Sequence, residues 1–222
     1  MAEQLILNLP VRPALGRDDF FVSDANAAAV AGIEGWRDWP HGKMVLVGPD
    51  ASGKTHLAHV WAALTGGCVI GADDLPGLDP QGAGQRVAVE NADQLPGVEA
   101  ETALFHLHNA ILGQGGRLLL TARSDPARWP IALPDLKSRV QQAGVLKLNA
   151  PDDALLSAVM VKMAADRQLA LPPRLVSYAV LRMERSLAAA RSLITAIDAR
   201  AVRDKSRPSR QMIAALLAEQ TE

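Results

Sequence analysis

The chain alternates short, unbroken apolar runs with longer stretches in which apolar residues recur every three or four positions. Met44-Val45-Leu46-Val47, Cys68-Val69-Ile70, Val87-Ala88-Val89, Leu118-Leu119-Leu120-Thr121 and Val145-Leu146-Lys147-Leu148 are short and β-rich, and read as buried strands. Most gaps between them have room for a crossover helix, which predicts a parallel sheet with helices on both faces. Residues 71–85 are the exception: Gly, Pro and Asp dominate there, so that crossover is predicted to be short or irregular. Ahead of the first strand, Ser23 or Asp24 is a plausible cap for an alanine-rich helix running to about residue 36, and Pro40-His41-Gly42 turns the chain into the strand. After Pro151 the strand signal stops. Helical periodicity takes over at about 152–167, 172–182, 186–203 and 208–219. The predicted organisation is an N-terminal arm over 1–19, an α/β base over 20–150 and an all-helical lid over 151–222.

The turn after the first strand carries the chemistry. Gly48-Pro49-Asp50-Ala51-Ser52-Gly53-Lys54-Thr55 fits G-x-x-x-x-G-K-[ST], with an amphipathic run over 56–64 behind it. Glycines there let backbone N–H groups close on phosphate oxygens, Lys54 adds a mobile positive charge, and the Thr55 hydroxyl is a magnesium ligand. The expected cofactor is a nucleoside triphosphate or diphosphate with Mg; a Gly-rich turn without a ligand is the plainer reading.

Three further positions follow from the strand pattern. The strand 87–89 runs into Glu90-Asn91, where P-loop ATPases place acidic residues for magnesium and the attacking water. Glu90 can serve magnesium through water but Asn91 cannot act as a base, so hydrolysis by this chain alone is expected to be slow; the pair equally well opens a turn toward Ala92-Asp93. Thr121 closes the next strand, either facing a terminal phosphate or as an ordinary β-branched strand end. Arg139 precedes the last strand, from where an arginine can reach a neighbouring subunit's nucleotide. Arg185 is expected to open the third lid helix and to close over the phosphates. For a lone arginine, a solvated surface position is the alternative.

Composition narrows the partners. With 23 basic and 24 acidic residues the chain has no global attraction to nucleic acid, so any DNA contact must be local. The basic lid end, Arg200, Arg203, Lys205, Arg207 and Arg210, is such a patch, or simply a solvated face. The single cysteine, Cys68, excludes an internal disulfide, suits a reducing cytosol and reads as a buried strand residue. No apolar stretch reaches about 18 residues and no export signal opens the chain, so a cytoplasmic location with no membrane contact is expected.

Four motifs in order carry a resemblance: Gly53-Lys54-Thr55-His56-Leu57, Leu104-Phe105-His106-Leu107-His108-Asn109, Leu136-Lys137-Ser138-Arg139, and Glu184-Arg185-Ser186-Leu187 with Asp198 beyond. Over nearly its whole length the chain resembles the Hda branch of the DnaA-related AAA+ proteins, regulators of bacterial replication initiation. The resemblance implies a P-loop AAA+ base with a helical lid. It makes Arg139 a trans-acting finger, with self-association or DnaA contact through it, and Arg185 a nucleotide sensor. It also places adenine near Phe21, Val22, Ser23 and Asn26, making the nucleotide ADP or ATP, with His56 behind the P-loop. Gln4-Leu5-Ile6-Leu7-Asn8-Leu9-Pro10 is similar to the peptide with which Hda proteins dock on the sliding clamp, Gln4 reaching a polar niche and Leu5, Leu7 and Leu9 filling an apolar pocket. By residue pattern alone that segment is a tail or an edge strand. Clamp docking implies association with the nucleoid.

The chain also departs from the family. No helix-turn-helix is expected after the lid, 71–85 is too short for the insertion with which initiators grip single-stranded DNA, and Arg123 stands where the family commonly has aspartate. Little direct DNA binding and weak ATP turnover are therefore expected. The competing readings are a DNA-binding initiator or loader ATPase of the DnaA type, and a small-molecule kinase, for which no acceptor base can be named.

Overall fold

The computed structural model describes residues 21–219; the clamp-peptide-like segment 4–10 lies outside them. All five predicted strands form. They pair in parallel in the order β2 (Cys68–Gly71), β3 (Arg86–Glu90), β4 (Arg117–Ala122), β1 (Lys43–Val47) and β5 (Gly144–Lys147). Alternation along each inner strand splits its side chains between two cores. Val45, Val87, Val89, Leu118 and Leu120 face one side, under α3 (Val98–Gly113) and α4 (Pro134–Gln141). Leu46, Ala88 and Leu119 face the other, against α1 (Ala27–Glu34) and α2 (Lys54–Thr65), where Trp61 is fully buried and stacks on Trp39 with centroids 5.3 Å apart. As anticipated, 71–85 holds one 3₁₀ turn, Ala72–Asp74, in place of a crossover helix.

Three expectations needed correction. The first helix starts at Ala27, because the Ser23 carbonyl accepts from both the Asn26 and Ala27 N–H groups and the Asn26 side chain accepts from Ser23 N–H (2.9 Å), closing a separate turn. Cys68 is exposed, not buried, since it opens an edge strand that has a neighbour on one side only. Val145 is likewise 38% exposed on the opposite edge strand, β5.

The remaining helices, α5 (Asp153–Asp166), α6 (Pro173–Val180), α7 (Leu187–Arg203) and α8 (Arg210–Glu219), enclose a third core that includes Leu156, Met160, Val176, Leu193, Ile194 and Ile213. The starts of α5 and α7 are set by side chains: Asp152 Oδ1 accepts from Leu155 N–H (2.7 Å) and Ser186 Oγ from Ala189 N–H (3.0 Å). This bundle touches the α/β base at a few points. The Leu187 N–H donates to the Ala51 carbonyl (3.1 Å), and the Asp152 carboxylate accepts from Ser23 and the Ala25 N–H. No helix among the described residues is long and apolar enough to cross a membrane.

Candidate functional site

β1 ends in the glycine-rich loop, and α2 begins at its lysine. Gly48 can be no other residue without rearrangement: a Cβ there would lie 2.8 Å from both the Leu148 carbonyl oxygen and Ser52 Oγ. Gly53 has φ +102°, while Ala51 holds the left-handed region at φ 54°, a strained conformation for a residue with a Cβ. The Leu187 N–H bond to its carbonyl helps keep it there. Lys54 is 8% exposed, and its ammonium donates to the carbonyls of Gly48 (2.8 Å) and Pro49 (2.7 Å). An arriving phosphate would take the place of those two carbonyls. Burial holds the Lys54 pKa below its ordinary value, and the charges of Asp50, Arg123, Asp93 and Glu90 all act on the same ammonium. Thr55 is exposed in the first turn of α2, with His56 half-buried beside it.

The turn after β3 faces this lysine. Asn91 sits at φ 55°, a left-handed position that asparagine tolerates better than most residues, and its N–H donates to Thr121 Oγ1 (3.1 Å). Thr121 is 1% exposed, so its hydroxyl ties the ends of β3 and β4 together. Asp93 Oδ2 accepts from Arg123 N–H (2.9 Å), Ser124 N–H (3.3 Å) and the Ser124 hydroxyl (3.4 Å). Among the described residues, Glu90 Oε1, Asp93 Oδ1 and Ser52 Oγ are buried with no hydrogen-bond partner. Two hard carboxylate oxygens left over beside Lys54 are the donor chemistry that a hydrated magnesium ion takes. Across the mouth of the loop, Arg123 Nε lies 2.6 Å from Asp50 Oδ1.

Other expected residues fall elsewhere. Arg185 lies in the loop just before α7, not on it, and its guanidinium pairs with Asp153 at the start of α5. Two residues on, Leu187 has its Cδ1 3.3 Å from where a Gly53 side chain would begin, so this loop borders the phosphate cradle. Asn26 is 3% exposed, and its amide nitrogen donates to the Phe21 carbonyl (2.8 Å), clasping the segment 21–23. An apolar groove of about 550 Å³ between α1 and α2 takes in Val22, Ala31, Leu57, Val60 and Leu64; neither Phe21 nor Asn26 lines it.

Arg139 is remote from its own P-loop. It sits in the last turn of α4, 5.1 Å above the Phe105 ring of α3, and its charge acts on Lys43 and His108 at the start of β1. The P-loop leaves the opposite end of that five-residue strand, about 16 Å away. The start of α4 is fixed by Glu101, 5% exposed, whose carboxylate accepts from Ala132 N–H (3.0 Å) and Leu133 N–H (2.8 Å). Sequence reasoning missed Asp93, Glu101 and the Asp50–Arg123 pair. Asp93 left a trace as the next carboxylate after Glu90 on the same turn, and Asp50 and Arg123 were each singled out in the sequence, but not as partners.

A five-stranded parallel sheet in this order, with a glycine-rich loop at the end of β1, the strand between β4 and β5, and a helical bundle after the sheet, is the AAA+ fold. No protein-family profile matches the chain. The fold is shared with solved structures of low identity. Domain III of the replication initiation protein DnaA from Thermotoga maritima superposes with a TM-score of 0.83 at 18% identity, covering 95% of this chain and 98% of that one. DnaA from Aquifex aeolicus bound to AMPPCP gives 0.66 at 17%, over 84% of this chain and 65% of that one. The Thermotoga maritima RuvB Holliday junction branch migration motor gives 0.66 at 17%, over 90% and 70%.

Proposed function

We propose that this chain is a DnaA-related regulator of replication initiation that holds adenine nucleotide in its P-loop, docks on the sliding clamp through residues 4–10, and promotes hydrolysis of ATP bound to DnaA. The observation that carries it is the placement of Arg139. A guanidinium at the far end of β1 from its own P-loop is unsuited to act on its own nucleotide and suited to act on a neighbour's. Nucleotide binding is supported by the loop geometry around Lys54 and by the likeness to DnaA structures that hold AMPPCP. When bound, magnesium would neutralise phosphate charge; Thr55 and Glu90 are the residues to hold it, with Asp93 beside them. Lys54 supplies charge to the phosphates, Arg185 closes from the lid side, and the segment 21–23 with Asn26 borders the base.

A likeness to DnaA bound to single-stranded DNA keeps a DNA-binding initiator or loader as the second reading. Against it, two arginines of the basic lid end carry their own counter-charges: Arg200 pairs with Asp204 and Glu219, and Arg203 with Asp204.

The test follows ATP loaded on purified DnaA, with this protein alone, with DNA-loaded clamp, and with residues 4–10 deleted. The proposal expects conversion to ADP that needs clamp, arm and Arg139. An Arg139→Ala protein that still binds nucleotide and clamp and stimulates fully would overturn it. Tight duplex binding with a steep salt dependence and no stimulation would favour the loader reading.

A further inference from the structure

Asp50 is an acid set inside the cradle that is built to receive an anion. Its partner, Arg123, leaves the end of β4, the strand next to β1, and its backbone N–H is pinned by Asp93. The guanidinium therefore hangs from a fixed point beside the P-loop mouth. The ion pair engages Nε at 2.6 Å, with side chains 53% and 66% exposed. A pair so exposed is weak and easily exchanged for a better partner. A phosphate is a better partner, because the planar guanidinium can bind two of its oxygens at once.

We propose that Asp50 and Arg123 form a gate on the phosphate cradle: the Asp50 carboxylate stands in for the terminal phosphate of a nucleoside triphosphate, which displaces it and takes Arg123. The inference rests on the nucleotide reading above and adds a residue that tells triphosphate from diphosphate. Charge arithmetic supports it. Lys54 and Arg123 bring two positive charges, and Asp50, Glu90 and Asp93 bring three negative ones, leaving the mouth at −1 before any anion arrives. With Asp50 holding Arg123, a phosphate meets one ammonium, itself held by two loop carbonyls. Once Asp50 swings away, it meets two cations. Arg123 lies on the side of the cradle where Glu90 and Thr121 end their strands, where P-loop NTPases place the magnesium and water-positioning groups that act on the last phosphate, so in this proposal the exchange matters for a triphosphate and little for a diphosphate.

The test is calorimetric titration of the full chain with Mg-ATP and Mg-ADP, for the natural protein, Arg123→Ala, Asp50→Asn, the double variant and Lys54→Ala. Removing the guanidinium should weaken ATP binding about tenfold and ADP binding less than about threefold, the scale of one charge-assisted bond. Asp50→Asn should tighten ATP binding by about three- to tenfold, and that gain should vanish when Arg123 is also alanine. Equal losses for ATP and ADP in Arg123→Ala, or no gain in Asp50→Asn, overturn the gate while nucleotide binding that depends on Lys54 survives. A natural protein that binds neither nucleotide overturns the nucleotide reading and the gate together. Melting curves check folding, which the exposure of both side chains leaves unthreatened.

Discussion

Lys43 and His108 meet inside the protein at the start of β1, with Nζ 3.2 Å from Nε2 and both residues under 5% exposed. The ring's other nitrogen faces Asn109 Oδ1 at 3.4 Å, an arrangement in which Nδ1–H donates to asparagine and Nε2 accepts from the ammonium. A second proton would set Nε2–H against that ammonium. Burial, followed by the Lys43 charge, pushes the His108 pKa down to about 4, with Arg139 adding in the same direction. An unfolded chain takes up this proton near pH 6.5 and the folded one does not, so stability from this group is complete above about 6.5 and is lost as pH falls toward 4. The loss amounts to about 3 kcal/mol at most. Urea unfolding at pH 7 and pH 5 should show about 2 kcal/mol of this drop in the natural protein and a clearly smaller one in His108→Gln. A parallel pH dependence in both would remove His108 as its source. None of this was legible in the sequence, where the two residues stand 65 positions apart as one strand residue and one helix residue.

At the scale of elements, the strands and most helices were legible, because apolar runs and helical periods report burial on the sheet and in the lid directly. What was not legible follows from choices between equivalent groups. Ser23, Asp24 and Asn26 can all begin a helix, and only the closure of 21–23 on Asn26 decides the start. Glu101 is the instructive miss. A glutamate in the first turn of a helix reads as a surface residue, yet here it is buried and serves another element, gathering the N–H groups of Ala132 and Leu133 ahead of α4. Glu101→Ala would leave those donors buried and unsatisfied, destabilising the fold by about 1–3 kcal/mol. It would also loosen the helix that carries Arg139. The expected signature is a lower urea midpoint, and under the proposed function Arg139-dependent stimulation should fall further than nucleotide affinity. Unchanged stability would mean that water replaces the carboxylate without loss.

For the whole molecule, the separation of cores sets how base and lid communicate. The lid core draws on residues from 156 to 217 and shares none with the two cores flanking the sheet. What joins them is narrow: the Leu187–Ala51 bond, and Asp152, whose pKa is lowered first by the Leu155 N–H and also by Ser23 and Ala25 across the junction. Two well-packed bodies joined by a few exposed polar links need not unfold together. A ligand seated on Lys54 and reached from the lid by Arg185 would join them, since it stabilises only the state in which both are folded and in register. At a hundred times its dissociation constant such a ligand adds about 2.7 kcal/mol. Calorimetric melting of the nucleotide-free protein should therefore resolve two overlapping transitions, and saturating Mg-ATP should merge them and raise the lower one. Lys54→Ala should keep two transitions at any nucleotide concentration. Arg185→Ala should still bind, but with the lid transition left behind, because its link to the phosphates is gone while its own core is intact. If the natural protein melts in one step without ligand, the junction is stronger than its few bonds suggest. The lid would then follow the base without help from nucleotide.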